Sequence, residues 1–286
     1  MIIIALILIS SCTTISNSDS TKKGNEQIIL NYPVVLVHGI VAQDRNSIIN
    51  FWGRIPDTLT DRGVQVFLGN TDAWGDYESN SAILKETIEK ILLQTKKEKV
   101  NIIAHSKGGL DSRYLIWKYD FGDKVASLTT ICTPHHGAEI ADMIYNGKMI
   151  NTKIGKDFLL LIGKLSNDIN PNLENVLYQL TTAEMKGFNE TVLMDNRVYY
   201  HSLYTTINSA FDDRLYLHTY RHIKKSAGAN DGLVSETSAR WGYNITKIKG
   251  RISHSEILDL KRRKISGIHI PDIYCNIVKE LEIKGF

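Results

Sequence analysis

The sequence predicts an α/β fold, a mainly parallel sheet with helices on both faces. Three observations carry this. Short apolar, β-branched runs alternate with stretches of helical period over most of the chain. One run, Pro33 to Val37, ends at His38-Gly39, delivering a glycine to the strand end where such sheets place their sites. A third run, Val100 to Ile103, passes through Ala104-His105-Ser106-Lys107 into Gly108-Gly109 and a helical rhythm that lasts to Tyr119.

Composition agrees with one folded domain. Hydrophobic residues are 43% and charged residues 23% of 286, a globular balance with length enough for one large core. The net charge of +3 is too weak to argue for nucleic acid, and Lys261-Arg262-Arg263-Lys264 reads as a solvated helix end or loop. Of the three cysteines, Cys132 and Cys275 read as buried small hydrophobes, and nothing has the spacing of a zinc site.

The elements follow in order. Met1 to Ile9 is wholly apolar but too short to span a bilayer, and small residues follow it. Residues 1–11 therefore read as a signal peptide, and Leu8-Ile9-Ser10-Ser11-Cys12 resembles a bacterial lipobox in which Cys12 is lipidated. No Lys or Arg precedes the run, which leaves room for a start upstream of Met1; the plainer alternative is a cleaved leader with an incidental cysteine. Residues 12–27, rich in Ser, Thr, Asn and Lys, read as a flexible tether, and 28–286 as the domain. Ile28 to Leu30 and Pro33 to Val37 are apolar runs broken at Asn31-Tyr32-Pro33, and the second reads as a strand. Ile48, Phe51, Trp52, Ile55 and Leu59 form a helical stripe between Ser47 and Arg62, dented at Pro56 and capped by Gly63. Val64 to Leu68 is a strand; Ser81 to Lys97 is an amphipathic helix with Ile83, Leu84, Ile88, Ile91 and Leu92 inward. Val125 to Ile131 is the strand after the glycine-rich turn, leading to Thr133-Pro134-His135-His136-Gly137. About 138–180 the rhythm breaks, and the segment reads as an inserted helical cap. Strands resume at Tyr199 to Ile207 and Ile245 to Lys249, and Ile270 to Ile283 is the last helix.

A serine hydroxyl is a weak nucleophile until a base takes its proton, and the base needs a third group to orient it. Ser106 sits where a strand turns sharply into a helix, the context of a nucleophile elbow, with small Ala104 and Gly108 two residues to either side. Elbow enzymes carry their partners in the order Ser, then Asp or Glu, then His. His254 and His269 lie near the C-terminus, and His254, close behind the last strand, is the better base. Asp231, in the turn Asn230-Asp231-Gly232, is the candidate acid, with Asp212 and Asp213 as rivals. Singly, such residues are ordinary turn aspartates and structural histidines; their order after a serine elbow makes the set. Attack on an ester carbonyl creates an oxyanion that two backbone N–H groups hold. Lys107, at the start of a helix whose dipole favours negative charge, and Ile40, after His38-Gly39, are the candidates.

Four segments, Tyr32 to Gly39, Ala104 to Gly109, Thr133 to Gly137 and Asn230 to Ser235, together resemble the bacterial triacylglycerol lipases of the α/β-hydrolase fold. Gln179 to Asn189 is similar to a further segment of that family. The resemblance implies Ser106, Asp231 and His254 as catalytic triad, Ile40 and Lys107 as oxyanion hole, and a mobile lid in the 138–180 insertion. In many relatives a structural calcium lies near the catalytic histidine; Glu256 and Asp212 or Asp213 stand at the corresponding places and are suitable oxygen ligands. The residues after Glu256 depart from that pattern, so the metal is not favoured and Glu256 reads as a surface carboxylate. The expected protein is an exported serine hydrolase of lipid acyl esters that needs no cofactor and is membrane-anchored through Cys12, the alternative being secretion. Competing readings are a phospholipase, thioesterase or acyltransferase on the same fold, or a surface lipoprotein without turnover.

Overall fold

Six strands make one sheet: β1 (Val34–Val37), β2 (Val66–Leu68), β3 (Val100–His105), β4 (Val125–Ile131), β5 (Tyr199–Thr206) and β6 (Ile245–Arg251). The computed structural model describes residues 26–40, 51–147 and 173–286. All pairings are parallel, in the order β2-β1-β3-β4-β5-β6. The strand order reverses between β1 and β3, so the chain leaves these two neighbours in opposite directions and opens a crevice at their C-terminal ends. Gly39 follows one of them and Ser106 the other.

Among the described residues the helices are α1 (Ile55–Thr60), α2 (Tyr77–Thr95), α3 (Gly108–Lys118), α4 (Glu139–Tyr145), α5 (Leu173–Gln179), α6 (Thr182–Thr191), α7 (Leu217–Ser226), α8 (Glu236–Ala239) and α9 (Ile270–Ile283). Alternate strand residues point to opposite faces. Val34, Leu36 and Ile103 therefore pack with Ile55 and Leu59 of α1 and Tyr274 and Val278 of α9. Val35, Val37, Ile102 and Ala104 pack with Leu84 and Ile88 of α2 and Leu115 and Ile116 of α3. Both faces are covered, which is why β1, β3 and β4 are buried along their whole length. On the cap side, Ile140 and Ile144 of α4 pack with Leu177 of α5, and Val176 and Leu180 with Met185 and Phe188 of α6.

Several boundaries differ from the sequence reading. The helix predicted over Ser47 to Arg62 is only α1, with Pro56 in its first turn, where a missing N–H costs nothing; residues 47–50 lie outside the described set. The apolar run Ile28 to Leu30 lies ahead of the first strand; Ile28 is buried and its N–H donates to Arg62 O at 2.8 Å. Helix α2 starts at Tyr77, ahead of the predicted Ser81, because the Asp76 carboxylate accepts the Ser79 N–H at 2.8 Å. Ile83, predicted inward, is 36% exposed. Cys132 and Cys275 are free and buried. The leader 1–11, Cys12, all of the tether but Glu26 and Gln27, and 148–172 of the proposed cap lie outside the described residues. Among the described residues, no helix is long and apolar enough to cross a membrane.

Candidate active site

Ser106 occupies the tight turn between β3 and α3 with φ +54°, a left-handed conformation that a non-glycine residue holds only at a cost. Its neighbours keep it there. The Ser106 N–H donates to Ile131 O at 2.9 Å, and Thr133 Oγ1 donates to Ser106 O at 2.8 Å. The turn also needs two glycines. A Cβ on Gly39 would lie 2.7 Å from Ser106 Cβ, and one on Gly108 would lie 2.4 Å from His38 O. Gly108 thus sits directly against the backbone of the strand next door.

The partners arrive from the far edge of the sheet. His254 Nε2 lies 3.0 Å from Ser106 Oγ, and His254 Nδ1 lies 2.8 Å from Asp231 Oδ2. This spacing lets Nδ1–H donate to the carboxylate and leaves Nε2 to accept the serine proton. The other carboxylate oxygen of Asp231 accepts the N–H groups of Leu233 at 2.9 Å and Val234 at 2.8 Å, and the His254 N–H donates to Asp231 O at 2.9 Å. The rivals point elsewhere. Asp212 accepts the Asn208 and Ser209 N–H groups and meets Arg251, Asp213 accepts from Ser253, and His269 pairs with Asp272 at 3.1 Å. Lys107 heads α3 and Ile40 follows Gly39, so both candidate oxyanion N–H groups belong to the turns that flank Ser106.

Other groups around the site have no sequence signal, or a weak one. Lys107 points inward and pairs with Asp111, both side chains almost wholly buried; only the four-residue spacing hints at this. Asn80 Nδ2 donates to Asp111 at 3.0 Å and ties the pair to the first turn of α2. His105 lies against His254 with ring centroids 4.7 Å apart, and its Nε2–H donates to His254 O at 2.9 Å. Burial holds His105 well below the ordinary histidine range, so it is neutral. Cys132, behind the triad, offers a sulfur within 4.8 Å of ligand atoms of Asp231 and His254, and burial pushes its thiol well up, so it stays protonated. On the elbow helix, α3, Arg113 is buried with its guanidinium 3.8 Å from the Trp241 ring centre and 3.1 Å from His135 Nδ1. Burial without a carboxylate partner pulls Arg113 down to about 9 and, with Arg113 nearby, His135 well below its usual range.

A cavity of about 280 Å³ opens on Ser106 and His254. Ala138, Ile140, Ala141, Leu177 and Leu180 line the cap side, and Leu215, Leu233, Val234, Leu258 and Leu260 the other. Its walls offer almost no hydrogen-bonding groups away from the reacting pair, so it suits an aliphatic chain whose one polar group sits at Ser106. Leu215, at 50% exposed, carries the apolar wall out to the surface.

The calcium ligands implied by the resemblance do not fit a divalent ion. Glu256, read as a surface carboxylate, is 3% exposed. It and Asp213 meet on Lys261 Nζ, at 2.6 and 3.3 Å. An ammonium between the two carboxylates takes the place where a cation would stand. Lys261, read as part of a solvated basic run, is the group that does so.

A serine, a histidine and an aspartate within hydrogen-bond reach, on a parallel sheet at its switch point, define a serine-hydrolase type of site. The family model of the alpha/beta hydrolase fold matches residues 32–232, and the chain belongs to that family. It is 28% identical over 267 residues to triacylglycerol lipase 2 of Saccharomyces cerevisiae, covering 83% of this chain and 75% of that one. It is 34% identical over 144 residues to a triacylglycerol lipase of Vibrio cholerae, covering 50% of this chain and 46% of that one, and 31% identical over 170 residues to one of Pseudarthrobacter phenanthrenivorans, covering 55% and 53%. The chain thus spans about half the length of these bacterial relatives. Among solved structures, the mature Bacillus licheniformis lipase BlEst2 superposes with a TM-score of 0.68 at 22% identity, covering 88% of this chain and 94% of that one. The metagenomic carboxyl esterase MGS0156 does so with 0.73 at 19%, covering 91% and 78%.

Proposed function

We propose that the protein is a serine carboxylic-ester hydrolase that frees fatty acids from lipid acyl esters, with acylglycerols as the substrate class. The observation that carries this is Ser106 Oγ, 3.0 Å from His254 Nε2 and exposed to an apolar cavity. The names of the yeast and bacterial relatives support the choice of glycerides among esters.

In this reading His254 Nε2 takes the Ser106 proton as Oγ attacks the ester carbonyl carbon. The carbonyl oxygen becomes an oxyanion facing the Lys107 and Ile40 N–H groups. Asp231 keeps Nδ1 protonated and stabilises the imidazolium. Collapse breaks the C–O bond to the alcohol, which leaves with the proton from His254. Water then repeats the sequence on the acyl-enzyme and releases the acid. Each step uses groups of the chain itself, so the reaction is read as needing no cofactor. The lipobox-like Leu8 to Cys12 supports export and a lipid anchor at Cys12, which would keep the cavity beside a lipid surface.

A fluorophosphonate probe should label the wild type and fail to label Ser106→Ala, and the wild type should release fatty acid from glycerides faster than from phospholipids. Failure of the wild type to label under conditions that label an active lipase would end the enzyme reading. Metabolic labelling with an alkynyl fatty acid tests the anchor, which requires the signal to vanish in Cys12→Ala.

A further inference from the structure

Behind the His254 loop, two carboxylates hold the residue that precedes the histidine. Ser253 Oγ donates to Asp213 Oδ2 at 2.6 Å, and the Ser253 N–H donates to Glu256 Oε2 at 3.1 Å. The Asp213 and Glu256 side chains are 6% and 3% exposed. Two anions buried this close together repel, and a buried charge without a partner is strongly destabilising. A single cation answers both: Lys261 Nζ, 2.6 Å from Glu256 Oε1 and 3.3 Å from Asp213 Oδ2. Burial works against this ammonium, yet the two carboxylates hold it above the usual lysine range. Its side chain is 37% exposed, so it reaches the pair from the protein surface.

The next residue completes the connection. The His254 N–H is tied to Asp231 O, while Ser253 is tied to the two carboxylates, so the imidazole hangs from a backbone clamped on both sides. We infer that Lys261 is a positioning residue for the base: its ammonium binds Asp213 and Glu256 together, which fixes Ser253 and so aims His254 at Ser106. This inference rests on the catalytic reading of Ser106, His254 and Asp231. It assigns to a side chain the charge balance that a bound divalent cation could otherwise supply.

The test compares steady-state kinetics and thermal unfolding of the wild type, Lys261→Met, Lys261→Arg and the double variant Asp213→Asn/Lys261→Met on a soluble short-chain ester. Lys261→Met should lower kcat about 10- to 100-fold with KM within about twofold, because the cavity is untouched and only the aim of the base is lost. Lys261→Arg should stay within about threefold of wild type, since it keeps the charge. The double variant should lose less than Lys261→Met, because it removes an anion along with the cation. It also carries the test if Lys261→Met does not fold, in which case it should fold and turn over. The wild-type unfolding midpoint should not move with EDTA or added calcium. Wild-type kcat in a folded Lys261→Met, a double variant no better than the single one, or an EDTA-sensitive wild-type midpoint would each overturn the inference. An inactive wild type in the same assay would instead remove the catalytic reading, so the two failures are distinguishable.

Discussion

On the nucleophile side, Ser106 is held by β3 ahead and α3 behind, by hydrogen bonds with Ile131 at the end of the neighbouring β4 and Thr133 just after it, and by the end of β1 pressed against the turn at Gly39 and Gly108. On the acid–base side, Asp231 and His254 stand on loops and are fixed by hydrogen-bond partners: Leu233 and Val234 close by on Asp231, Glu256 close by on Ser253, and, from far along the chain, His105 on the His254 carbonyl and Asp213 on Ser253. The first side is a matter of space, so it fails when volume is added. The second is a matter of partners, so it fails when one is removed.

Four measurements test this contrast. The largest effect is expected from Ser106→Ala, which should cut kcat for ester hydrolysis on the order of 10⁶-fold while leaving the unfolding midpoint near wild type. Retained turnover would mean that the nucleophile side has been misread. Asp231→Asn comes next: the Leu233 and Val234 contacts can survive, but the imidazole tautomer is no longer enforced, so kcat should fall on the order of 10⁴-fold. An effect below tenfold would show that the partners on that side do not orient the base.

Gly108→Ala tests the space argument. Its Cβ would meet His38 O at 2.4 Å and Val37 O at 2.7 Å, backbone atoms that cannot turn aside. Chemical denaturation should show a loss of about 1–3 kcal/mol, and a neutral result would refute the close approach. The mildest effect is a pH slope. Burial keeps His105 and His135 neutral in the fold, well below the ordinary value near 6.5 that they regain when unfolded. As pH falls below 6.5 the unfolded chain therefore takes up protons that the native state refuses, and stability drops, by up to about 1.4 kcal/mol per histidine for each pH unit. Denaturation midpoints at pH 7.5 and 5.5 should differ in that direction, and His135→Asn should flatten the slope. A protein that grew more stable on acidification would contradict the neutral assignment.

Legibility in the sequence followed the same division. The elbow could be read because its parts are neighbours: β-branched residues in Val100 to Ile103, a serine, two glycines and a helical rhythm. Asp231 and His254 could be proposed only from their order along the chain, and the structure brings those two, not Asp212, Asp213 or His269, to Ser106. Ile83 misled because a helical stripe shows which residues share a face but not how wide the covered face is. Glu256 and Lys261 misled more deeply: composition marks both as solvent residues, and neither carries a sign that the other is near.

By itself, then, the chain's order of residues determined the alternating strands and helices, the sharp turn at Ser106 and the identity of the groups able to do acyl chemistry, because periodicity and backbone preference act over a few residues. The tertiary structure alone decided which carboxylate faces His254, that Lys107 pairs with Asp111, and that Lys261 bridges Asp213 and Glu256. Two of those contacts, Asp231 with His254 and Asp213 with Lys261, join residues far apart along the chain, and the near ones depend on burial. Their energy depends on distance and on the exclusion of water, two quantities that exist only once the chain has closed on itself.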